Sequence, residues 1–262
     1  LVAECFAASG FPRGVFNLLQ GDREVARRLC VHEDVVGILF SGSSEVGTRI
    51  HQDTLLQSWK RLVVEQGAKN AAIVCPDATF EPALQKILVS AYGSAGQRPM
   101  ALSRVFVHES KFDAFVKQFH ERAKAFRIGL PKDNPFMGPL IEQGVVDRYT
   151  KFLGIALREG FEVTMRGKSL DFPGSGNFVT PAICIAASTT REASRKSVFQ
   201  QTELYAPSLE IIGYREREEA TALCNVSQYG LAACVYSQDR ANYEECRKEL
   251  AVGIVGWNQM PY

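Results

Sequence analysis

Several features of common functional classes are missing from this sequence. No apolar run approaches the length of a membrane span, and 30 Lys and Arg residues against 29 Asp and Glu residues leave a formal net charge of +1. We therefore expect neither membrane nor nucleic-acid partners. The seven cysteines include no C-x-x-C pair, which argues against a disulfide framework and against a structural zinc site. The expectation is a globular protein without a bound metal.

The two ends of the sequence look like interior segments of a longer protein. The first residues lack the basic and apolar regions of a signal peptide, and the sequence begins without Met in a helical pattern. It stops directly after the apolar stretch Ile254 to Trp257. We therefore expect a cytoplasmic protein whose two ends are cuts through a longer chain.

Helical and apolar segments alternate along the chain. Val15 to Leu19 has the pattern of a short buried strand, Glu24 to His32 that of a helix, and Val35 to Phe40 that of a buried strand. This alternation predicts an α/β protein with parallel sheets covered on both faces. The pattern restarts after Gly67, so we predict two α/β units that meet near this residue.

A strand-to-helix turn rich in small residues follows Phe40. It reads Ser41-Gly42-Ser43-Ser44, and a helix beginning here would offer backbone N–H groups and a hydroxyl to an anion. The alternative is that Ser43 or Ser44 simply caps a helix that binds nothing. No G-x-G-x-x-G motif is present, so the common dinucleotide-binding fingerprint does not decide between them.

Two further segments have chemical potential. Glu65 ends an apolar strand just before a glycine turn, where a carboxylate in a crevice can have a raised pKa and act as a general base. The alternative is a solvated carboxylate or one paired with a nearby lysine. The small-residue loop from Gly93 to Arg104 lies between a helix and a strand, and Pro99 stands within it. Its alternative role is a connector that the proline terminates.

Taken in order, these segments resemble the aldehyde dehydrogenase superfamily. The resemblance continues through nearly the whole chain and is most similar to the branch that oxidises succinylglutamate semialdehyde in arginine catabolism. It rests on the segments Gly10-Phe11-Pro12-Arg13-Gly14-Val15, Phe40-Ser41-Gly42-Ser43, Glu65-Gln66-Gly67-Ala68-Lys69-Asn70, Gly96-Gln97-Arg98, Phe136-Met137-Gly138-Pro139-Leu140-Ile141, Glu203-Leu204-Tyr205-Ala206-Pro207, Tyr229-Gly230-Leu231 and Gly253-Ile254-Val255-Gly256-Trp257-Asn258.

The resemblance implies an architecture and a set of ligands. Residues 1–66 would be the C-terminal half of a Rossmann-type dinucleotide-binding domain, and residues 67–262 an α/β catalytic domain without its C-terminal end. The implied cofactor is NAD or NADP, the implied substrate is a small aldehyde such as a semialdehyde, and the full-length relative would be a homo-oligomer. The implied residues are Gly42 and Ser43 at the pyrophosphate, Glu203 at a ribose, Tyr205 against the nicotinamide, Glu65 as general base and Asn258 at the substrate.

Pro99 departs from the family at the position of the cysteine nucleophile. In the family a thiolate attacks the aldehyde, hydride passes to the nicotinamide, and a glutamate activates the water that hydrolyses the thioester. Proline has no nucleophilic side-chain atom, so we expect this oxidoreductase scaffold to be catalytically impaired. The alternatives are a non-catalytic binding or assembly module and a sequence change at residue 99. Because the family's oxyanion amide and ribose-binding lysine would precede Leu1, we also expect weak or absent NAD binding.

Overall fold

The chain folds into two compact units, Leu1–Gly67 and Ala68–Tyr262. The computed structural model describes residues 1–172, 176–186 and 190–260. Within these ranges, none of the helices is both long and apolar enough to span a bilayer.

The first unit is a two-stranded parallel sheet with three helices. Its elements in chain order are α1 (Val2–Ala8), α2 (Arg23–Val31), β1 (Gly37–Gly42), α3 (Ser44–Thr54) and β2 (Arg61–Gln66). Asp22 begins α2 because its carboxylate accepts hydrogen bonds from the backbone N–H groups of Glu24 and Val25. Ser43 begins α3 in the same way, with Oγ accepting from the N–H of Val46 at 3.3 Å.

Two expectations for the first unit are wrong. Val15 to Leu19 forms no strand, and Val15, Leu18 and Leu19 are 59%, 60% and 64% exposed. An apolar run becomes a strand only where another strand accepts its hydrogen bonds, and here none pairs with it. The β1–β2 sheet is also not covered on both faces, since alternate residues along both strands are exposed.

The second unit is built around a seven-stranded sheet. Its strands are β3 (Asn70–Val74), β4 (Leu102–His108), β5 (Glu162–Met165), β6 (Ala182–Ala186), β7 (Ser208–Tyr214), β8 (Ala232–Tyr236) and β9 (Ile254–Trp257). Its helices are α4 (Phe80–Tyr92), α5 (Glu109–Lys124), α6 (Gln143–Arg158), α7 (Arg191–Lys196), α8 (Val198–Gln201), α9 (Arg217–Cys224) and α10 (Arg240–Glu249), with 3-10 turns at Gly93–Gly96 and Pro131–Asp133.

The strand order in this sheet is β5-β6-β7-β4-β3-β8-β9, and every pairing is parallel except β5 with β6. Every residue of β3, β6 and β8 is buried. Apolar clusters cover both faces: Leu84, Ile87 and Phe115 belong to one cluster, and Ala220 and Cys246 to another. The predicted α/β fold with a parallel sheet covered on both faces is confirmed for this unit.

Candidate functional site

Three connecting segments of the second unit meet at one edge of its sheet. They precede the neighbouring strands β3, β4 and β7, so all three lie at the amino ends of parallel strands. Together they enclose a cavity of about 30 Å³, enough for a water molecule. The cavity is lined by Ala68, Lys69, Gly96, Arg98, Pro99, Ala101, Leu102, Ser103, Glu203, Leu204, Tyr205, Ala206 and Ser208.

Asn70 fixes the loop that contains Pro99. Its Nδ2 donates to the backbone oxygens of Pro99 at 2.6 Å and Ala101 at 3.0 Å. Its Oδ1 accepts from the N–H of Ala232, the first residue of β8, at 3.2 Å. The side chain is 2% exposed, so one buried amide connects the start of β3 to the loop before β4 and to β8.

The backbone of this loop requires glycine at one position. Gly96 has φ +70°, and a Cβ built on it would lie 2.5 Å from the backbone oxygen of Ala206. Ser94 and Ala95 also have positive φ, 55° each, a conformation that is uncommon for residues other than glycine. Gln97 then holds the loop from outside, since its Oε1 accepts from the N–H of Ile141 at 2.9 Å.

Pro99 is exposed and contributes only its carbonyl oxygen to these contacts. The preceding residue, Arg98, turns back toward the end of α4, where its Nη2 donates to the backbone oxygens of Val89 and Ser90, each at 3.2 Å. Such a guanidinium satisfies carbonyls at a helix C-terminus. No cysteine occurs among the described residues that line this cavity, so no thiol there replaces the missing nucleophile.

Glu203 lies in the segment before β7. Its Oε1 accepts from the N–H of Ala68 at 3.0 Å. Burial raises the pKa of this carboxyl group, and the hydrogen bond from Ala68 and the charges of Arg148 and Lys69 oppose the rise. Tyr205 follows with φ 55° and is 41% exposed. The segment therefore presents a half-buried acid and an exposed aromatic ring.

A buried lysine holds this segment in place. Lys69 Nζ donates to the backbone oxygens of Thr202 at 2.8 Å and Phe199 at 3.3 Å. Burial lowers the pKa of Lys69 to about 8, with attraction to Glu210 opposing the shift. Burial also raises the pKa of Glu210, whose Oε1 accepts from Gln200. The sequence analysis did not identify Glu210, because β7 was predicted only as an apolar strand.

A larger cavity of about 520 Å³ adjoins the Pro99 loop. Lys86 and Arg98 line it, and Lys86 Nζ donates to the backbone oxygen of Asn258 at 2.8 Å. No Asp or Glu is among the described residues of its lining, so its charge is positive. The remaining lining residues are Gln85, Val89, Ser90, Pro99, Met100, Gln259 and Met260. The sequence analysis missed this cavity, since its residues come from three separate segments.

Asn258 directs its side chain into the fold. Its Oδ1 accepts from the N–H of Ser237 at 3.0 Å, and its Nδ2 donates to the oxygen of Ser237 at 2.8 Å. Its φ of 55° is in the left-handed region. The residue lies next to the larger cavity through its backbone oxygen, and its role toward a substrate stays a prediction.

The residues implied for a cofactor pyrophosphate lie in the first unit. Gly42 ends β1, and Ser43 caps α3 with its oxygen, leaving its hydroxyl proton free for another acceptor. A Cβ on Gly47 would lie 2.1 Å from Gln66 Oε1 and 2.9 Å from Val64, so α3 lies close to β2 only because residue 47 is glycine. Backbone donors at a helix start fit a phosphate, whereas Glu45 in the first turn opposes an anion.

Glu65 is the fifth residue of β2 and pairs in register with Ser41 of β1. It is exposed. Glu65 therefore ends the strand beside the Gly42–Ser43 turn, as the sequence predicted, and its role as general base stays a prediction.

Comparison with known proteins decides the family. The profile of the aldehyde dehydrogenase family matches residues 1–262. The chain belongs to the aldehyde dehydrogenase family. It is 32% identical over 259 residues to malonate-semialdehyde dehydrogenase 2 of Geobacillus kaustophilus, covering 98% of this chain and 52% of that protein. It is also 32% identical over 264 residues to 1-pyrroline-5-carboxylate dehydrogenase of Geobacillus thermodenitrificans, covering 98% and 50%.

Solved structures agree with this assignment. The aldehyde dehydrogenase chain superposes on 1-pyrroline-5-carboxylate dehydrogenase from Thermus with bound NAD, with a TM-score of 0.90, 32% identity, and coverage of 98% of this chain and 49% of that one. An NAD-type cofactor is thereby supported at the level of the family. The chain spans about half the length of the relatives it matches. None of these relatives carries succinylglutamate semialdehyde in its name, so the narrower substrate prediction gains no support from them.

Proposed function

We propose that this aldehyde dehydrogenase chain binds a carboxylate-bearing aldehyde, a semialdehyde, and does not oxidise it at a rate typical of the family. One observation carries the proposal: Pro99 stands at the nucleophile position in a loop whose supporting contacts are intact. The binding surface is present, and the reacting atom is absent.

The missing sulfur removes a covalent step. Oxidation in the family begins when a thiolate adds to the aldehyde carbon, and the resulting hemithioacetal releases hydride. Pro99 provides no lone pair on its side chain, so this addition has no donor. Oxidation of the hydrated aldehyde would be the remaining route, without the acceleration that covalent catalysis supplies.

The larger cavity supports a carboxylate-bearing ligand. Lys86 and Arg98 bring two positive charges to its wall, and both make hydrogen bonds to carbonyl oxygens and not to acids. Their charge is therefore uncompensated locally and attracts an anion. Malonate-semialdehyde and 1-pyrroline-5-carboxylate dehydrogenases are named for substrates with a carboxylate. We extend this class to the chain, with succinylglutamate semialdehyde as the branch-level candidate.

Cofactor binding by this chain follows from the same resemblance. The Gly42–Ser43 turn would hold a pyrophosphate at the start of α3, Glu203 would accept from a ribose hydroxyl, and Tyr205 would lie against the nicotinamide. NAD or NADP supplies the hydride acceptor when bound. Glu45 at the same helix start opposes an anion, so we expect weak affinity. Protection of the α3 amides on adding NAD, measured by hydrogen exchange, tests this without an activity assay.

The remaining expectations from the sequence are part of this proposal. Glu65 would act as the base in a complete active site, and Asn258 would border the substrate. A cytoplasmic location and a homo-oligomer for the longer protein follow from the family and are proposals for this chain. A non-catalytic assembly module is the alternative, and Lys86 and Arg98 favour ligand binding over it.

Two measurements test the proposed function. NADH formation is followed with malonate semialdehyde and succinylglutamate semialdehyde, and binding of malonate and succinate is measured by calorimetry. We expect dicarboxylate binding without NADH formation. Turnover by the unmodified chain at a family-like rate would contradict the lost-nucleophile argument. Absence of dicarboxylate binding would favour the assembly module.

A further inference from the structure

The first unit exposes an apolar strip on one face of its sheet. Leu39 of β1 pairs in register with Val63 of β2, so the two side chains lie side by side on the same face. Leu39 is 83% exposed and Val63 is 53% exposed. The neighbouring pairs, Ile38 with Leu62 and Phe40 with Val64, are half-buried on the opposite face. We call the face that contains Leu39 and Val63 the open face.

A parallel sheet of this kind is incomplete as a folding unit. Parallel strands occur almost entirely in sheets with both faces covered, and two strands alone are marginally stable. The second unit of the same chain follows this rule, because β3, β6 and β8 are buried along their whole length. The open face and the unpaired outer edges of β1 and β2 therefore lack the layer and the strands that such sheets require.

The length comparison indicates what supplies them. The matched relatives contain about as much chain outside the matched region as within it, since this chain covers 52% of the Geobacillus kaustophilus protein. The first unit itself has the backbone of the solved relatives, because 98% of the chain superposes with a TM-score of 0.90. A sheet that is folded correctly and uncovered points to a covering segment elsewhere in the family's sequence.

We propose that the open face and a free edge of the β1–β2 sheet form a docking surface for the half of an aldehyde dehydrogenase chain that this sequence does not span. That half would add a parallel strand to the sheet and place an apolar helix face over Leu39 and Val63. The proposal rests on family membership and on the geometry of the first unit, and it is independent of the role of Pro99.

The test adds that half as a separate polypeptide. The unmatched part of Geobacillus kaustophilus malonate-semialdehyde dehydrogenase 2 is mixed with this chain, and backbone hydrogen exchange is followed by mass spectrometry. We expect saturable binding and slower exchange in residues 37–42 and 61–66, with exchange in β3 and β4 unchanged. Unchanged exchange in both strands at saturating concentration would overturn the proposal.

Two variants locate the interface. Leu39→Asp and Val63→Asp should each weaken binding of the added half at least about tenfold, since each places a charge where an apolar side chain would be buried. The matched control is Leu56→Asp, because Leu56 is 91% exposed and lies outside the sheet. An equal loss in the control would overturn the proposal. Self-association of this chain through Leu39, abolished by Leu39→Asp and not displaced by the added half, would instead assign the open face to a second copy.

Discussion

Replacing Asn70 with alanine should destabilise the second unit and release the Pro99 loop. The amide makes three hydrogen bonds, to Pro99, Ala101 and Ala232, with lengths of 2.6, 3.0 and 3.2 Å. A buried hydrogen bond contributes about 1 kcal/mol, and leaving its partner unsatisfied costs more. We therefore expect a loss of roughly 3 kcal/mol in the free energy of unfolding. For a unit of this size, the melting temperature should fall by roughly 6–12 °C.

The assay is urea denaturation followed by circular dichroism, together with hydrogen exchange of the Pro99 loop. The control is Gln143→Ala, because Gln143 is exposed and its amide has one printed partner on the same helix, Asp147. It should change stability by less than about 0.5 kcal/mol. If Asn70→Ala loses less than about 1 kcal/mol, or leaves loop exchange unaltered, the amide does not hold the loop and the reasoning is refuted.

Three further predictions concern the site. Pro99→Cys should introduce a thiol that reacts with alkylating reagents while NADH formation stays on the order of a hundredfold or more below a complete relative, because the chain lacks the implied oxyanion donor. Lys86→Gln and Arg98→Gln should each weaken malonate binding about tenfold in calorimetry, since each removes a charge-assisted contact. Stability should rise with pH from about 8 towards 10.5, the ordinary pKa of lysine, because Lys69 is deprotonated in the folded chain before it is in the unfolded one.

Each of these has a contrary outcome. Full activity of Pro99→Cys would show that the chain contains every group needed for turnover. Equal weakening by Lys124→Gln, an exposed cation on α5, would show that malonate responds to overall charge and not to the cavity. For Lys69, the native state binds fewer protons than the unfolded state between the two pKa values, so the unfolding free energy must increase with pH. A Lys69→Met variant that keeps the same rise would assign it to other groups.

The elements of the second unit were predictable where burial leaves a clear pattern. Ile254 to Trp257 and the helix around Leu84 and Ile87 have continuous or 3.6-residue apolar patterns, and both occur as predicted. The strand β5, Glu162–Met165, was not predicted, because its residues are half-exposed and its pairing is antiparallel. Val15 to Leu19 had the composition of a strand without a partner to pair with, and hydrogen-bond partners cannot be read from a local pattern.

The site was predictable in its chemistry and not in its support. The residue types at 65, 99 and 203 followed from motif order. The contact of Asn70 with Ala232 joins residues 162 positions apart, and no local spacing indicates it. The close approach of Gly96 to Ala206 depends likewise on two loops that meet only in the folded sheet. Long-range contacts of this kind define the cavity, and they require coordinates.

The way the Pro99 loop is held separates the fold from the chemistry at that residue. Asn70 grips the carbonyl oxygen of residue 99, and every amino acid has that atom. Proline lacks only a backbone N–H, and its side chain is exposed at this position. A lineage could therefore exchange the nucleophile for proline with little penalty in stability, since purifying pressure on folding does not act on that side chain. Loss of catalysis at this position is structurally silent, and a chain can drift out of the enzyme class while keeping the family's architecture.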